Sequence, residues 1–258
     1  GQIALMIHCG SRGLGHQVAT DYLRSFEGAM QKYGISVSDR QLACAPIKSP
    51  EGKDYYAAMA ASVNFAFANR QVIMHRVRNV FSRVFGKDAQ ALGMHLVYDV
   101  AHNVAKTEEY STTNHQPPTT NQLLVHRKGA TRAFGPGNPA LPKIYQDVGQ
   151  PVILGGSMES DSYLLMGTKK AEEETFGSSA HGSGRTMSRS AAKKKVRGEK
   201  LQKEMESRGI YVKTASFAGL AEEAGLAYKD ISEVVEALEI SGISKPVVSF
   251  KPLGNIKG

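Results

Sequence analysis

The sequence has few cysteines and no hydrophobic run long enough for a transmembrane helix. Cys9 and Cys44 are the two cysteines among 258 residues, too few for a disulfide framework, and this scarcity favours a reducing compartment. No apolar run reaches the roughly 18 residues that a membrane span needs, and no signal peptide is visible. These absences predict a cytoplasmic protein with no membrane partner.

Short sequence motifs for metal and nucleotide sites are also missing. The chain has no His-x-x-x-His, Cys-x-x-Cys or His-Glu-x-x-His pattern, which excludes a metal site built from one short segment. Neither the Gly-x-x-x-x-Gly-Lys-Ser/Thr pattern of a P-loop nor the Gly-x-Gly-x-x-Gly fingerprint of a dinucleotide site occurs. Any metal or phosphate site must therefore combine residues from distant parts of the chain.

The overall composition is that of an ordinary globular protein with an excess of positive charge. Hydrophobic residues make up 41% of the chain and charged residues 22%, so a sizeable core is expected. Lysine and arginine number 32 against 24 aspartates and glutamates, giving a formal net charge of +8. This excess suits a phosphate-rich partner such as nucleic acid.

Hydrophobic patterning predicts four helices and six strands. Amphipathic spacing and alanine content indicate helices over about 16–33, 54–85 and 186–208, and one over 229–241 opened by Asp230 or Ser232. Short apolar runs indicate the strands "IALMIH" (3–8), "MHLVYDV" (94–100), "QLLVHRKG" (122–129), "QPVILGG" (150–156), "GIYVKTASF" (209–217) and "KPVVSFKP" (245–252). The polar segment 107–122 is predicted as a surface loop or hairpin tip.

These elements favour an α+β fold, with mixed β-sheets and flanking helices in a single compact domain. Strands and helices mix without the strict alternation that a doubly wound α/β sheet requires. No linker composition divides the chain.

Three histidines lie where an imidazole can meet a ligand. His8 and His102 end predicted strands, and His181 lies within "AHGSGR" among small residues. A rigid strand end fixes an imidazole, and neutral imidazole binds divalent transition metals. The alternative is that each histidine is a hydrogen-bonded structural residue. For His181, the local pattern leaves nucleophile, metal ligand and neither open.

Three glycine-rich segments, 10–15, 155–162 and 181–185, predict sites for anions. Backbone N–H groups in such turns can bind a phosphate, although a plain tight turn explains each of them as well. Arg12 and Arg185 lie within two of these segments and favour the anion hypothesis, because guanidinium binds phosphate in a fork. Ser183 or Thr186 is expected to cap the following helix, with Arg185 and Arg189 one turn apart on it.

Six ordered motifs give the sequence a specific resemblance. "HCGSRGLGHQ", "YDVAHNVAK", "VHRKGATRAF", "GQPVILGGSM", "AHGSGRTMSR" and the terminal "NIKG" follow one another along the whole chain. In this order they resemble the RtcB family of RNA ligases, of which residues 1–258 resemble the larger, C-terminal part. The resemblance implies joining of RNA 3′-phosphate or 2′,3′-cyclic phosphate ends to 5′-hydroxyl ends, such as those of tRNA halves. It also implies GTP and Mn²⁺ as cofactors and an archease-like activator as a further partner.

The resemblance also implies roles for individual residues. His181 corresponds to the guanylated nucleophile, and His8 and His102 to metal ligands. Three arginines, Arg12, Arg185 and Arg189, correspond to positions near the RNA phosphate. The positions that correspond to guanylate contacts are His102, Asn103, Gly155, Gly156, Ser157, Met158, Ser162, His181, Gly182, Ser183, Gly184, Tyr228 and Lys257. The family motif that contains Arg127, Lys128 and Arg132 has no role that the sequence reveals.

Two departures from the family pattern are visible. The family carries further metal ligands upstream, in Asp-x-x-Cys and Gly-Asn-His motifs that this chain lacks. Because the chain also opens on Gly1 and runs directly into an apolar stretch, we expect a missing N-terminal part of the same protein as a partner. Glu159 and Asp161 stand where the family has small neutral residues, and these carboxylates are expected to repel a triphosphate or to take up metal.

Two alternatives to the ligase remain at this stage. The incomplete metal site and the lysine run Lys193–Lys195 fit a non-catalytic module that binds RNA or a partner protein. That lysine run fits a solvated helix face equally well. A metal-dependent phosphoesterase on the same scaffold is the other alternative.

Overall fold

The structure, a computed structural model, describes residues 2–112 and 119–257. It confirms the α+β class, with seven helices and nine strands in the described part of the chain. The chain packs as two compact units, Gly1–Asp99 and Val100–Gly258, although the sequence shows no linker between them.

The first unit is built on two long helices, which confirm two of the four predicted ones. Helix α1 spans Gly13–Tyr33 and α2 spans Pro50–Phe85. Both begin a few residues earlier than the hydrophobic pattern indicated. In α2 the reason is local, because Ser49 accepts a hydrogen bond from the Gly52 N–H and Pro50 occupies the first helical position. The rings of Tyr22, Phe26 and Tyr55 pack the two helices together at centroid distances of 5.2–6.2 Å.

Two strand predictions in the first unit are wrong. Neither "IALMIH" (3–8) nor "MHLVYDV" (94–100) forms a strand with any residue that the structure describes. A strand needs a hydrogen-bonded neighbour, which an apolar run cannot reveal by itself. Side chains of α2 bind the backbone after the first run instead: Asn69 donates to Gly10 O at 2.9 Å and Arg70 to Cys9 O at 3.1 Å.

The second unit contains the strands, in four small sheets. Long antiparallel strands β1 and β2 form a hairpin, β3 pairs with β6, β4–β5–β8 form an antiparallel sheet, and β7 and β9 are parallel. The bounds are β1 Asn103–Thr112, β2 Thr119–Lys128, β3 Ala130–Arg132, β4 Pro151–Leu154, β5 Ser162–Gly167, β6 Ser178–Ala180, β7 Tyr211–Thr214, β8 Ser244–Phe250 and β9 Gly254–Lys257.

Four of the predicted strands are confirmed by β2, β4, β7 and β8. The segment 107–122 is predicted as a surface loop or hairpin tip. Its two ends belong to the paired strands β1 and β2, so the hairpin is confirmed and a loop over the whole segment is wrong. The polar sequence of β1 and of the first residues of β2 gave no apolar signal for this part of the ribbon. The expected hairpin tip, residues 113–118, lies outside the described residues.

Five shorter helices complete the second unit. They are α3 Lys169–Thr175, α4 Arg189–Lys195, α5 Gly198–Ser207, α6 Phe217–Glu222 and α7 Ile231–Ile240. Helix α7 confirms the prediction over 229–241, and Asp230 caps it. The single helix predicted over 186–208 is wrong, because Val196 and Arg197 are extended and separate α4 from α5. At Gly198 the backbone runs against the carbonyl oxygen of Phe217, where a Cβ would lie only 2.1 Å away.

Two buried clusters form the core of the second unit. One joins the β4–β5–β8 sheet to α3 and α7 through Ala133, Val152, Leu154, Leu165, Ala171, Ile231, Val235 and Ile243. The other packs α5 and α6 against β7 through Met158, Leu201, Met205, Ile210, Val212, Leu220 and Ala224. The first cluster includes Leu154, directly before the turn at Gly155, and the second includes Met158 within that turn. None of the described helices is both long enough and apolar enough to span a membrane.

Candidate active site

Two of the three predicted site histidines stack face to face in the second unit. The ring centroids of His102 and His181 are 4.1 Å apart and the rings are within 5° of parallel. Each ring offers a nitrogen that lies within 4.8 Å of a nitrogen of the other. Both residues are half-buried, so the protein around them restricts the orientation of their rings.

Two β-ladders bring these histidines together, and they meet at one residue. In the hairpin, Asn103 pairs with Lys128, so the next position along, His102, faces Gly129. The Gly129 N–H donates to the His102 carbonyl at 2.9 Å. In the second ladder Ala130 pairs with Ala180, so Gly129 also faces His181. Backbone pairing on both sides of Gly129 therefore brings the two imidazoles together, although they are far apart in the sequence.

Two of the three predicted glycine-rich segments, 155–162 and 181–185, lie side by side in the second unit, whereas the segment 10–15 in the first unit runs into α1 at Gly13. Gly155 donates to the His181 carbonyl at 3.0 Å, and Ser183 donates back to the Gly155 carbonyl at 3.1 Å. Gly182 passes so close to that carbonyl that a Cβ would lie 3.2 Å from its oxygen. The turn that begins at Gly155 is closed by the Gly156 N–H, which donates to Ser162 Oγ at 3.2 Å. The two turns thus form one surface next to the stacked rings.

Ser183 carries a polar atom that fits a phosphate-bearing ligand at this surface. Its side chain is 4% exposed, and its hydroxyl oxygen makes no hydrogen bond within the described residues. A buried hydroxyl without a partner costs stability, so a ligand that bonds it would recover that loss. Ser157 differs, because its N–H and hydroxyl both bond Ser160 Oγ. Met158 is buried in the core, and its carbonyl accepts a hydrogen bond from the Asn255 amide at 3.0 Å.

A polar cluster surrounds Tyr228. Arg185 donates to the Tyr228 hydroxyl at 2.9 Å and to the Glu222 carbonyl at 2.7 Å, and its guanidinium lies over the Tyr228 ring. The Tyr228 hydroxyl in turn donates to Glu223, which also accepts from Arg189 at 3.2 Å. The guanidinium of Arg185 is therefore bound to groups of the protein itself, whereas the side chain of Arg189 is 68% exposed to solvent.

Two expectations about this region are wrong. Neither Ser183 nor Thr186 caps the following helix, because Ser188 does so by accepting from the Ala191 N–H. Arg185 and Arg189 are not one turn apart on a helix, since Arg185 precedes α4 and forms a bridge with Tyr228. Both errors follow from the helix beginning later than its charge pattern indicated.

Burial and charge shift the pKa values of this cluster. Burial, together with the hydrogen bond to Glu223, raises the pKa of Tyr228 to about 12, so the phenol keeps its proton at neutral pH. Burial alone would raise the pKa of Glu223, but hydrogen bonds from Tyr228 and Arg189 lower it. The positive charges of Lys257 and Arg185 act in the same direction. Glu223 is therefore a carboxylate at neutral pH.

Removing this carboxylate should weaken the fold in a pH-dependent way. Because the pKa of Glu223 is lowered on folding, its contribution is present above its ordinary pKa of 4.5 and is lost as the pH falls through the folded value. We expect Glu223→Gln to destabilise the protein by about 1 kcal/mol at pH 7. Urea unfolding should show this difference shrinking below pH 4.5. A difference that stays constant from pH 7 to pH 3.5 would contradict the assignment.

Glu159 is bound by neighbouring groups of the fold. Its carboxylate accepts from Arg208 at 2.5 Å and from the Gly225 N–H at 2.7 Å. It therefore ties the turn after Gly155 to the segment that carries Tyr228. The expected repulsion of a triphosphate is weakened for Glu159, because Arg208 offsets its charge. Asp161 is half-buried in the same turn.

The remaining predicted residues lie at the ends of their elements. Lys257 ends β9 next to Thr214 of β7. Asn103 begins β1, and its amide oxygen accepts from Gly129 at 3.1 Å. In the first unit, His8 is exposed in the segment before α1. Arg12 immediately precedes α1 with a φ of 55°, a value that non-glycine residues rarely adopt and that is frequent at functional sites.

Sequence reasoning missed Glu223 and Gly129. A glutamate pair at the end of a short helix looks like any solvated surface, and no periodicity singles it out. Gly129 lies in the motif "HRKGATR", whose role stayed open because the two ladders that meet there are not visible in the sequence.

The fold and the site define an α+β protein in which a stacked pair of imidazoles lies beside glycine-rich turns. The profile of the family described as "tRNA-splicing ligase RtcB" matches residues 1–258, so the chain belongs to the RtcB family.

Archaeal relatives with the same description align over the whole chain. The chain is 57% identical over 258 residues to the tRNA-splicing ligase RtcB of Archaeoglobus fulgidus, covering all of this chain and 53% of the relative. It is 52% identical to those of Pyrococcus abyssi and Pyrococcus furiosus, of which it covers 28% and 26%. The chain thus spans about half the length of the first of these relatives and about a quarter of the others.

Proposed function

We propose that this protein is a GTP-dependent RNA ligase that joins RNA 3′-phosphate ends to 5′-hydroxyl ends. The observation that carries the proposal is the stacked His102–His181 pair beside the buried, unbonded hydroxyl of Ser183. Membership of a family described as tRNA-splicing ligases supports the halves of a cleaved tRNA as the substrate. The free thiols Cys9 and Cys44 support a cytoplasmic location.

In the first step, His181 acts as the nucleophile. A ring nitrogen forms a bond to the α-phosphorus of GTP while the α–β phosphoanhydride bond breaks and pyrophosphate leaves. The stacking on His102 supports this role, because it fixes the ring plane before the phosphate arrives. The hydrogen bonds that Gly155 makes with the His181 carbonyl and the Ser183 N–H hold the main chain after the ring in the same way.

The two later steps transfer the guanylate to RNA and then release it. An oxygen of the RNA 3′-phosphate attacks the guanylate phosphorus, and the bond from phosphorus to His181 breaks. The 5′-hydroxyl oxygen of the second strand then attacks the activated 3′-phosphorus, and GMP leaves as the new phosphodiester forms. A 2′,3′-cyclic phosphate end is first opened by water to the 3′-phosphate.

A divalent metal fits the residues present. His102 and His181 offer imidazole nitrogens within 4.8 Å of one another, and imidazole is a donor for divalent transition metals. We assign His8 and His102 as ligands, with Mn²⁺ as the ion that the family resemblance indicates. When bound, the ion would neutralise phosphate charge and orient the transferring group.

The surrounding residues supply the nucleotide and RNA contacts. The turns at Gly155–Ser157 and Gly182–Gly184 support a guanylate site, because the missing side chains let the two backbones run against each other beside His181, with a Cβ at Gly182 only 3.2 Å from the Gly155 carbonyl oxygen. We assign Asn103, Met158 (through its backbone), Ser162, Tyr228 and Lys257 to the same site. Arg12, Arg185 and Arg189 are assigned to the RNA phosphate. Arg189 would have to exchange its ion pair with Glu223 for one with an RNA phosphate, and the exposure of the Arg189 side chain permits this exchange. An archease-like activator and the remaining length of the protein are further proposed partners.

The test is formation of a covalent guanylate. The protein is incubated with Mn²⁺ and GTP labelled at the α-phosphate, and the label should remain on the protein through denaturation and be released by acid, as a phosphoramidate requires. Label at the γ-phosphate should not be retained, and a chelator should prevent labelling. Mass spectrometry should place the guanylate on His181.

The alternatives predict different results in the same experiment. A binding module without catalysis would retain RNA in a strongly salt-dependent way with no labelled protein at any GTP concentration. A phosphoesterase would release phosphate from RNA ends without GTP. Either result in place of the labelled protein would overturn the proposed ligase.

A further inference from the structure

Gly129 lies against the ring nitrogen of His181. A Cβ at position 129 would be 3.4 Å from His181 Nε2 and 3.7 Å from Cδ2, which is van der Waals contact. The φ of Gly129 is +68°, in the left-handed region that side chains disfavour. The space beside Nε2 therefore exists because residue 129 has no side chain.

The backbone at Gly129 has little freedom to move away from the ring. Its N–H donates both to the His102 carbonyl at 2.9 Å and to Asn103 Oδ1 at 3.1 Å. On its other side, Ala130 starts the ladder with β6, which leads directly into His181. An added side chain would thus have to remain beside Nε2, because withdrawing it would break pairing on one side or the other.

We propose that Gly129 is a positioning residue that sets how closely a phosphorus centre can approach Nε2 of His181. One part of this inference rests on the proposed function, namely that the approaching group is the α-phosphate of GTP. It gives the motif "HRKGATR" a role: its glycine joins the two ladders and keeps a side chain at position 129 away from Nε2. The steric statement about Nε2 holds independently of the reaction.

The test compares Gly129→Ala with a matched control. Gly137 also has a positive φ, +84°, but a Cβ there would meet nothing within 4 Å, so Gly137→Ala carries a similar backbone penalty without touching the site. We expect Gly129→Ala to slow guanylate formation at saturating GTP at least tenfold. The GTP concentration for half-maximal rate should change less than threefold, because the turns at Gly155 and Gly182 are untouched. Gly137→Ala should keep the parent rate.

A second variant separates backbone strain from steric blocking. Asparagine tolerates a positive φ better than alanine, so Gly129→Asn should fold more readily while placing a larger side chain beside Nε2. It should slow guanylate formation at least as much as Gly129→Ala. If Gly129→Ala fails to fold, the comparison is made with Gly129→Asn, whose folding is checked by circular dichroism. Gly129→Asn with the parent rate would overturn the proposal.

A chemical probe tests the steric inference separately from the proposed ligase activity. Diethylpyrocarbonate modifies imidazole nitrogens, and mass spectrometry gives its rate at His181 without GTP. We expect this rate to fall at least fivefold in Gly129→Asn and to remain unchanged in Gly137→Ala. Slower modification in a protein that never forms a guanylate would support the steric inference and overturn the ligase assignment. Unchanged modification together with unchanged guanylate formation would overturn the inference.

Discussion

Replacing His181 with asparagine should abolish guanylate formation and, with it, the joining of RNA ends from GTP. The amide is close to imidazole in size and retains polar atoms, but it has no nitrogen lone pair able to attack phosphorus. Because the substitution removes the imidazole that stacks on His102 beside the glycine turns, the assigned nucleophile is lost. We expect a fall of at least about 10³-fold in labelled protein.

The same variant should retain the last chemical step. Once the RNA 3′-phosphate already carries the guanylate, attack by the 5′-hydroxyl does not need the imidazole as nucleophile. RNA prepared with a guanylated 3′ end should therefore be joined by His181→Asn, although GTP and unmodified RNA are not. His126→Asn is the control, since His126 is exposed on β2 and bonds the Leu124 carbonyl. Undiminished labelling in His181→Asn would contradict the assigned nucleophile.

Replacing Arg127 with methionine should cause the largest loss of stability. Its guanidinium forms a two-pronged ion pair with Glu108 at 2.7 and 2.8 Å, and the two side chains are 1% and 6% exposed. Arg127 also donates to the Phe176 carbonyl at 2.6 Å and to Ser178 Oγ at 2.9 Å. It therefore joins the β1–β2 hairpin to the segment that leads through β6 to His181.

The expected loss of unfolding free energy follows from the Glu108 carboxylate, which stays buried when Arg127 is removed. Without Arg127, the carboxylate of Glu108 is left in the interior, where the Tyr110 hydroxyl, at 2.9 Å, is its remaining hydrogen-bond donor among the described residues. Removing one member of a buried ion pair typically costs about 3–5 kcal/mol. Urea unfolding of Arg127→Met should show a decrease of that size. Adding Glu108→Gln should restore part of it, because the double variant buries no unpaired charge.

A surface ion pair provides the control for this prediction. Lys200 and Glu204 are 3.5 Å apart on α5 and both largely exposed, so Lys200→Met should change the unfolding free energy by less than about 0.5 kcal/mol. A loss below about 1 kcal/mol in Arg127→Met would mean that the pair contributes little to the fold. Guanylate formation should weaken in Arg127→Met, because the strand before His181 is no longer anchored to the hairpin.

Local features of the sequence determined the helices and the nature of the site residues. Amphipathic spacing located α1, α2 and α7, because helix packing depends on neighbours three and four residues apart. Of the two residues predicted to open α7, Asp230 and Ser232, the structure shows Asp230 as the cap, accepting from the Ser232 N–H. Glycines, serines and imidazoles in "AHGSGR" indicated an anion site from composition and order, although they left the role of His181 open.

Only the tertiary structure decided which distant residues meet. The apolar runs 3–8 and 94–100 look like strands but have no ladder among the described residues, and hydrogen bonding between strands is a non-local property. The stacking of His102 on His181 follows from two ladders that share Gly129, and their register cannot be read from either segment alone. Arg127 resembles a surface cation in the sequence, yet it is buried because Glu108 and two carbonyl groups surround it. The chain determined its local elements and chemical groups, whereas backbone pairing across long separations determined the site they form.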